Sequence, residues 1–294
     1  MNQTPRPDDA ASLRAKAEAA TAALPALIMA AERLAASVAP GTHGLRRAGS
    51  GEDFWQYRPA AAGETARQID WRRSARSDEA FVRDLEAQTA QNATLWVSCG
   101  QGMLWSGDPS RETKYARAQL LALSLALVLL RGGERVAMLG DPPRAGRTQA
   151  DQIARTLAMA KESAGDADAP DPTLLRGGQR VVLFGDFLAP ESNPAPFLTR
   201  AAAAGVGGVL VQILDPDEIT FPLTGALQLR SASGATRFQT RNAAAMRDAY
   251  LTRLSERRAM LGRTCEAAGW QFGTHDAGSP PAQALGWLSA TLAG

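Results

Sequence analysis

From Thr94 onward, short continuous apolar runs alternate with longer helical patterns. TLWVS (Thr94 to Ser98), ERVAMLG, QRVVLFGDF, VGGVLVQILDP and the stretch from Trp270 to Thr274 read as strands. The segments from Thr113 to Leu130, Arg147 to Lys161, Pro196 to Ala204, Asn242 to Ala268 and Ala282 to Leu292 read as helices. In the fourth of these, Met246, Tyr250, Leu254, Leu261 and Cys265 recur at helical spacing on one face. Continuous apolar strands separated by helices are the pattern of a parallel sheet covered on both faces. The expected fold class is therefore α/β, a doubly wound, mostly parallel sheet. ALQLRS and ATRFQT flank Ala232-Ser233-Gly234 and predict an inserted β-hairpin.

Upstream the pattern changes twice. Residues 1–40 form an alanine-rich helical segment, in which Pro25 either starts a second helix or kinks the first. Residues 41–90 form a Gly/Arg-rich, irregular arm, and 91–294 the α/β domain. Within the arm, Tyr57 to Arg76 holds Arg58, Arg67, Arg72, Arg73 and Arg76, with Glu64, Asp70 and a buried-type Trp71, and no lysine. Arginine is chosen where a planar, multi-donor fork must bind carboxylates or carbonyls. The segment thus reads as a clamp, tying the N-terminal module either to the larger domain or to a partner.

At 294 residues the chain can bury a large core in one or two domains. Thirty-two basic against 30 acidic residues leave no strong field toward nucleic acid or an acidic membrane. Cys99 and Cys265 lack spaced partners, which argues against a disulfide framework or a zinc knuckle. The start lacks the basic-then-apolar order of a secretion signal. The most apolar stretch, Ala118 to Leu130, is shorter than the roughly 20 residues a bilayer needs. A cytoplasmic location without a transmembrane segment is expected.

The run GSGEDFWQYRPAAAGETARQIDWRRSAR resembles the signature of the domain-of-unknown-function 58 family. Gly49, Gly51, Phe54, Arg58, Pro59, Gly63, Arg67, Ile69, Asp70, Trp71, Ala75 and Arg76 fit it, and the turn at Ala60 to Ala62 and Glu64 departs from it. LDPDEITFP (Leu214 to Pro222) and Ala268 to Trp270 extend the resemblance, which covers most of the chain from about Gly41. It implies a von Willebrand factor A-like fold and association with MoxR-type AAA+ ATPases. In that fold a metal site uses Asp-x-Ser-x-Ser after the first strand. Aligning Met103 places Ser98-Cys99-Gly100-Gln101-Gly102 there, with the aspartate replaced by Ser98 and both serines by glycine.

Ligands of open α/β sheets bind beyond the carboxyl ends of the strands. Asp186 stands at such an end, as a surviving metal ligand or as a cap of the next turn. Asp215 to Glu218 is an acidic turn or part of a partner surface. His43 and His275 are isolated, and there is no Gly-x-Ser-x-Gly elbow. The expectation is a non-enzymatic protein-interaction module without a cofactor, an adaptor of a MoxR-type AAA+ ATPase as the resemblance implies. Its structural or partner-binding residues are Arg58, Arg67, Asp70, Trp71, Arg76, Asp215 and Glu218. The alternative is a Mg- or Ca-dependent binding module using a remodelled site at Ser98 and Asp186.

Overall fold

A computed structural model describes residues 7–38, 45–49, 53–60, 69–75, 79–89, 91–159, 168–230 and 237–293. In chain order the elements begin with α1 (Pro7–Ala36), β1 (Leu45–Gly49), β2 (Asp53–Pro59), α2 (Trp71–Ser74), β3 (Phe81–Thr89) and β4 (Asn92–Val97). They continue with α3 (Lys114–Arg131), β5 (Arg135–Met138), α4 (Arg147–Met159), β6 (Gln179–Gly185), α5 (Ala195–Ala203) and β7 (Gly208–Leu214). Then follow α6 (Pro216–Thr220), β8 (Leu227–Arg230), β9 (Arg237–Thr240), α7 (Arg247–Ala267), β10 (Gln271–Asp276) and α8 (Pro281–Ala293). These elements make two units: Met1–Gly41 with Asn92–Gly294, and Thr42–Gln91.

The larger unit is built on a five-stranded sheet in the order β10-β7-β6-β4-β5, with every pair parallel. Side chains alternate across it, as the pleat requires. Val182, Phe184, Val209, Val211 and Ile213 meet the apolar faces of α3, α4 and α8. Val181, Leu183 and Leu210 meet α5 and α7, where Phe197, Leu198, Leu261 and Cys265 complete the second core. Helix α3 is apolar nearly all round because α1 covers the side turned away from the sheet, with Ala31 and Ala35 buried against it. Pro25 lies inside α1, which continues as one helix. The predicted hairpin is present as β8 and β9, paired antiparallel from Leu227↔Thr240 to Arg230↔Arg237.

Strand β4 lies between β6 and β5, so the chain leaves it in one direction first and returns on its other side. The carboxyl ends of β4 and β6 therefore flank the point where the strand order reverses. That crevice is where open α/β sheets place their ligands.

The smaller unit corrects the expectation of an irregular arm. β1, β3 and β2 form an antiparallel sheet in that order, with a register shift between Phe54 and Gln56. The family-signature segment is stitched to its start. The Asp70 amide donates to the Phe81 carbonyl at 2.8 Å, and Ile69 bridges to Val82. Asp70 caps α2 by accepting from the Arg73 amide at 3.0 Å, and it also accepts from the Tyr57 hydroxyl at 3.2 Å. The Arg73 guanidinium lies 5.5 Å from the Tyr57 ring and 5.7 Å from the Phe81 ring. Arginine here serves a local cation–π contact. Trp71, expected to be buried, is 61% exposed. Arg67, Arg76 and the side chain of Arg58 lie outside the described residues.

Because Asp70 is a half-buried cap, Asp70→Ala should cost about 1 kcal/mol in urea denaturation. A loss above ~3 kcal/mol would instead identify a buried ion pair.

Candidate functional site

The crevice at the carboxyl ends of β4 and β6 is filled by a lysine. Lys114 opens α3, whose cap Thr113 accepts from the Ala116 amide at 3.1 Å. Its side chain runs into the crevice and is only 1% exposed. Nζ donates to Asp186 Oδ2 at 2.9 Å and to Glu218 Oε1 at 2.5 Å. Asp186 follows β6, and Glu218 lies in α6, just beyond β7. One ammonium thus joins the ends of two strands to the start of the central helix.

Each partner is itself held. The Asp186 carbonyl accepts from Gln212 Nε2 at 2.8 Å. The next residue, Phe187, has φ 50°, a left-handed conformation that is costly for a bulky side chain. Arg257 fixes that turn by donating from Nε to the Phe187 carbonyl at 2.7 Å and from Nη2 to the Ala189 carbonyl at 3.1 Å. The Phe187 ring stacks on Trp96 at 6.1 Å. Glu218 is set by a capping box: its Oε2 accepts from the Asp215 amide at 2.9 Å, while Asp215 Oδ1 accepts from the Asp217 amide at 2.8 Å. A second left-handed aromatic, Phe221 at φ 46°, ends α6 and packs on Tyr250, with centroids 4.8 Å apart.

Burial opposes the Lys114 charge, but the Asp186 and Glu218 carboxylates outweigh it and hold the ammonium above its ordinary value. Two carboxylates share this one cation. Burial lifts the Glu218 carboxyl above its usual range despite Lys114, and the Asp186 charge adds to the lift. Arg111 forms a second pairing at the rim, reaching Asp217 at 2.9 Å and Asp215 at 3.4 Å. Trp105 stands over the opening, 43% exposed, with its ring 6.0 Å from Lys114 Nζ.

These residues do not fit a divalent cation. Such an ion needs several hard oxygen ligands in one shell. Here Lys114 Nζ occupies the position between the two carboxylates. At Gly102 a Cβ would lie 2.8 Å from Asp186 Oδ2, so that position of the loop has neither a side-chain oxygen nor room for one. Ser98 is buried beside β6, its amide donating to the Phe184 carbonyl at 2.8 Å. Among the described residues no group of three His, Cys, Asp or Glu side chains is arranged to hold a metal.

The structure thus brings together Asp186, Asp215 and Glu218 of the sequence-predicted residues, with Ser98 at the foot of the crevice. Asp70 and Trp71 belong to the other unit. Lys114, Arg111 and Trp105 were missed. One signal was available: Lys114 is one of three lysines in a chain with 29 arginines, and it opens the most apolar helix.

One turn along α3, Arg117 donates to the Ser279 carbonyl, pairs with Glu112, and lies 3.1 Å from His275 Nε2. Burial, and then the Arg117 charge, push the His275 imidazole down to about 4.

The family described as "Protein of unknown function DUF58" matches residues 56–260. No protein with a curated description matches the chain. Among solved structures, the chain is similar to an aerotolerance-related membrane protein from Bacteroides fragilis NCTC 9343 with multiple mutations to serines. The identity is 14% over 69% of this chain and 98% of that one, with a TM-score of 0.39. It is also similar to the conserved hypothetical protein BatB from Bacteroides thetaiotaomicron, at 12% identity over 69% of this chain and 99% of that one, TM-score 0.35. No described helix is long and apolar enough to cross a membrane.

Lys114→Ala leaves buried carboxylates without their cation and should cost about 3–5 kcal/mol in urea denaturation. Adding Asp186→Asn and Glu218→Gln should restore part of that loss, whereas independent sites would make the three losses add. His275 gives a pH dependence of defined sign. Its folded pKa of about 4 lies below the unfolded value, so its stabilisation is complete above about pH 6.5 and is lost as pH falls toward 4. The wild type should lose up to ~3 kcal/mol more than His275→Gln between pH 7 and pH 4. Parallel pH profiles would remove His275 as the cause.

Proposed function

The chain belongs to the DUF58 family, and we propose that it is a non-enzymatic protein-interaction module whose ligand crevice is closed by its own lysine. The observation that carries this reading is the position of Lys114 Nζ, 2.9 Å from Asp186 and 2.5 Å from Glu218 at the strand-order switch. The Asp186 and Glu218 carboxylates that a metal would use there are already paired with Lys114. What remains open to a partner is the rim, where Trp105 is 43% exposed and Arg111 is partly exposed beside Asp217. Exposed tryptophan and arginine suit a protein contact, since large, rigid side chains of this kind dominate binding energy at interfaces.

An enzymatic role lacks support. Among the described residues, the Cys265 thiol is buried and pushed up to about 12, and His275 is engaged by Arg117. Neither is arranged as a nucleophile or base. The partner class rests on the family resemblance, which suggests an adaptor of a MoxR-type AAA+ ATPase.

The test is a pull-down with the purified full chain from a lysate of its own cell, with and without ATP. Nucleotide-dependent recovery of an AAA+ ATPase, lost on combined Trp105→Ala and Arg111→Ala substitution, is the expected result. Recovery without such an ATPase would overturn the adaptor reading. In parallel, millimolar Mg or Ca should leave the melting temperature unchanged, because a ligand raises it only by preferring the folded state. A reproducible rise would favour the metal-dependent alternative.

A further inference from the structure

The sheet's two edges are treated differently. At β5, Val136 pairs with Arg144 in an antiparallel bridge, which covers part of that edge. At the other edge β10 pairs with β7, and among the described residues no strand lies on its outer side. Exposed strand edges are templates for another chain, and folded proteins usually blunt them with charge, proline or a covering element. β10, QFGTHD, carries no lysine, arginine or proline.

The register identifies which backbone groups are open. The Ala277 amide donates to the Leu214 carbonyl at 2.8 Å, and Asp276 is aligned with Leu214. In a parallel ladder alternate residues bond the same neighbour. Gln271, Gly273 and His275 therefore face β7, while Phe272 and Thr274 turn their amides and carbonyls to the open side; the Asp276 carbonyl already accepts from the Ser279 amide at 2.9 Å.

That side is a groove of about 500 Å³ between α7 and α8. Residues from both faces of β10 line it, so it wraps the strand's edge. Trp287, 38% exposed, forms one wall and lies over Gly273, where a Cβ would come within 2.5 Å of its ring. Arg258 of α7 forms the other wall, and its Nε is buried with no hydrogen-bond partner among the described residues. The groove's carboxylate, Asp276, already accepts from the Gly278 amide at 2.8 Å. A buried, unpaired guanidinium N–H is costly, and a carboxylate is its best complement.

We infer that the open edge of β10 receives an extended peptide segment of a protein partner, with an Asp or Glu side chain of that segment seated on Arg258. The strand edge supplies backbone pairing, Trp287 an apolar contact beside Gly273, and Arg258 the selection for acid. This is the strand-addition mode of peptide recognition. It uses a surface separate from the Lys114 crevice and needs no ATPase partner, so either reading can fail without the other.

The test is selection of displayed random decapeptides on the purified full chain, followed by fluorescence anisotropy of each enriched peptide. The expected peptides alternate apolar positions around one Asp or Glu. Their affinity should fall at least tenfold on Arg258→Gln and stay within twofold on Arg253→Gln, an exposed arginine of the same helix. Gln283→Glu, which adds charge at the groove without touching Arg258, should weaken binding similarly and guards against a folding defect in Arg258→Gln. Replacing the peptide's acid by its amide, or methylating its alternate backbone nitrogens, should each weaken binding tenfold. Failure to enrich any peptide, enriched peptides without an acid, or equal binding to Arg258→Gln would overturn the acidic-peptide assignment. Equal binding of the N-methylated peptide would overturn the strand-edge pairing.

Discussion

One buried ammonium ties the carboxyl-end crevice of the larger unit together. Lys114 reaches from the first turn of α3 to a carboxylate after β6 and another in α6. Replacing such a triad with apolar side chains is often neutral or stabilising, so its value to the fold is not simply energetic. Its effect is to fix geometry. A lysine is a compact point charge on a long stem, able to sit between two acids where a planar guanidinium could not be accommodated so symmetrically. With that charge in place, the switch point of the sheet is closed from within.

The two strained aromatics belong to the same arrangement. Phe187 directly follows Asp186, and Phe221 ends the helix that carries Glu218. Non-glycine residues in the left-handed region persist only when their surroundings over-determine them. Here Arg257 and Trp96 hold one, and Tyr250 packs on the other. In each case the strained turn bends the backbone sharply near the carboxylate that meets Lys114. The strain and the ion triad are two aspects of one local solution.

The α/β core was legible because its strands are apolar on both faces and its helices are long. Pattern alone locates β4, β6 and β7 to within a few residues. It could not supply the strand order, which is set by which helix crosses which face. The arm's strands were not legible because LRRAG and FVRDLEAQT mix charge with little apolar alternation, and their pairing spans 30 or more residues. Asp186, Asp215 and Glu218 could be named because carboxylates at strand ends are conspicuous. Lys114 offered only its rarity as a lysine among 29 arginines, because its role depends on the crevice it enters.

Helix α3 carries two buried cations one turn apart, at a spacing that places them on neighbouring parts of one surface. Lys114 holds the ends of β6 and α6, while Arg117 holds His275 of β10 and the carbonyl of Ser279 before α8. The same turn of the same helix thus braces the central crevice and the connection beside the sheet's open edge. Each cation is bound through short, directional contacts, so one helical turn anchors both places. The N-terminal turn of α3 is therefore the structural element through which the crevice and the β10 edge are physically joined.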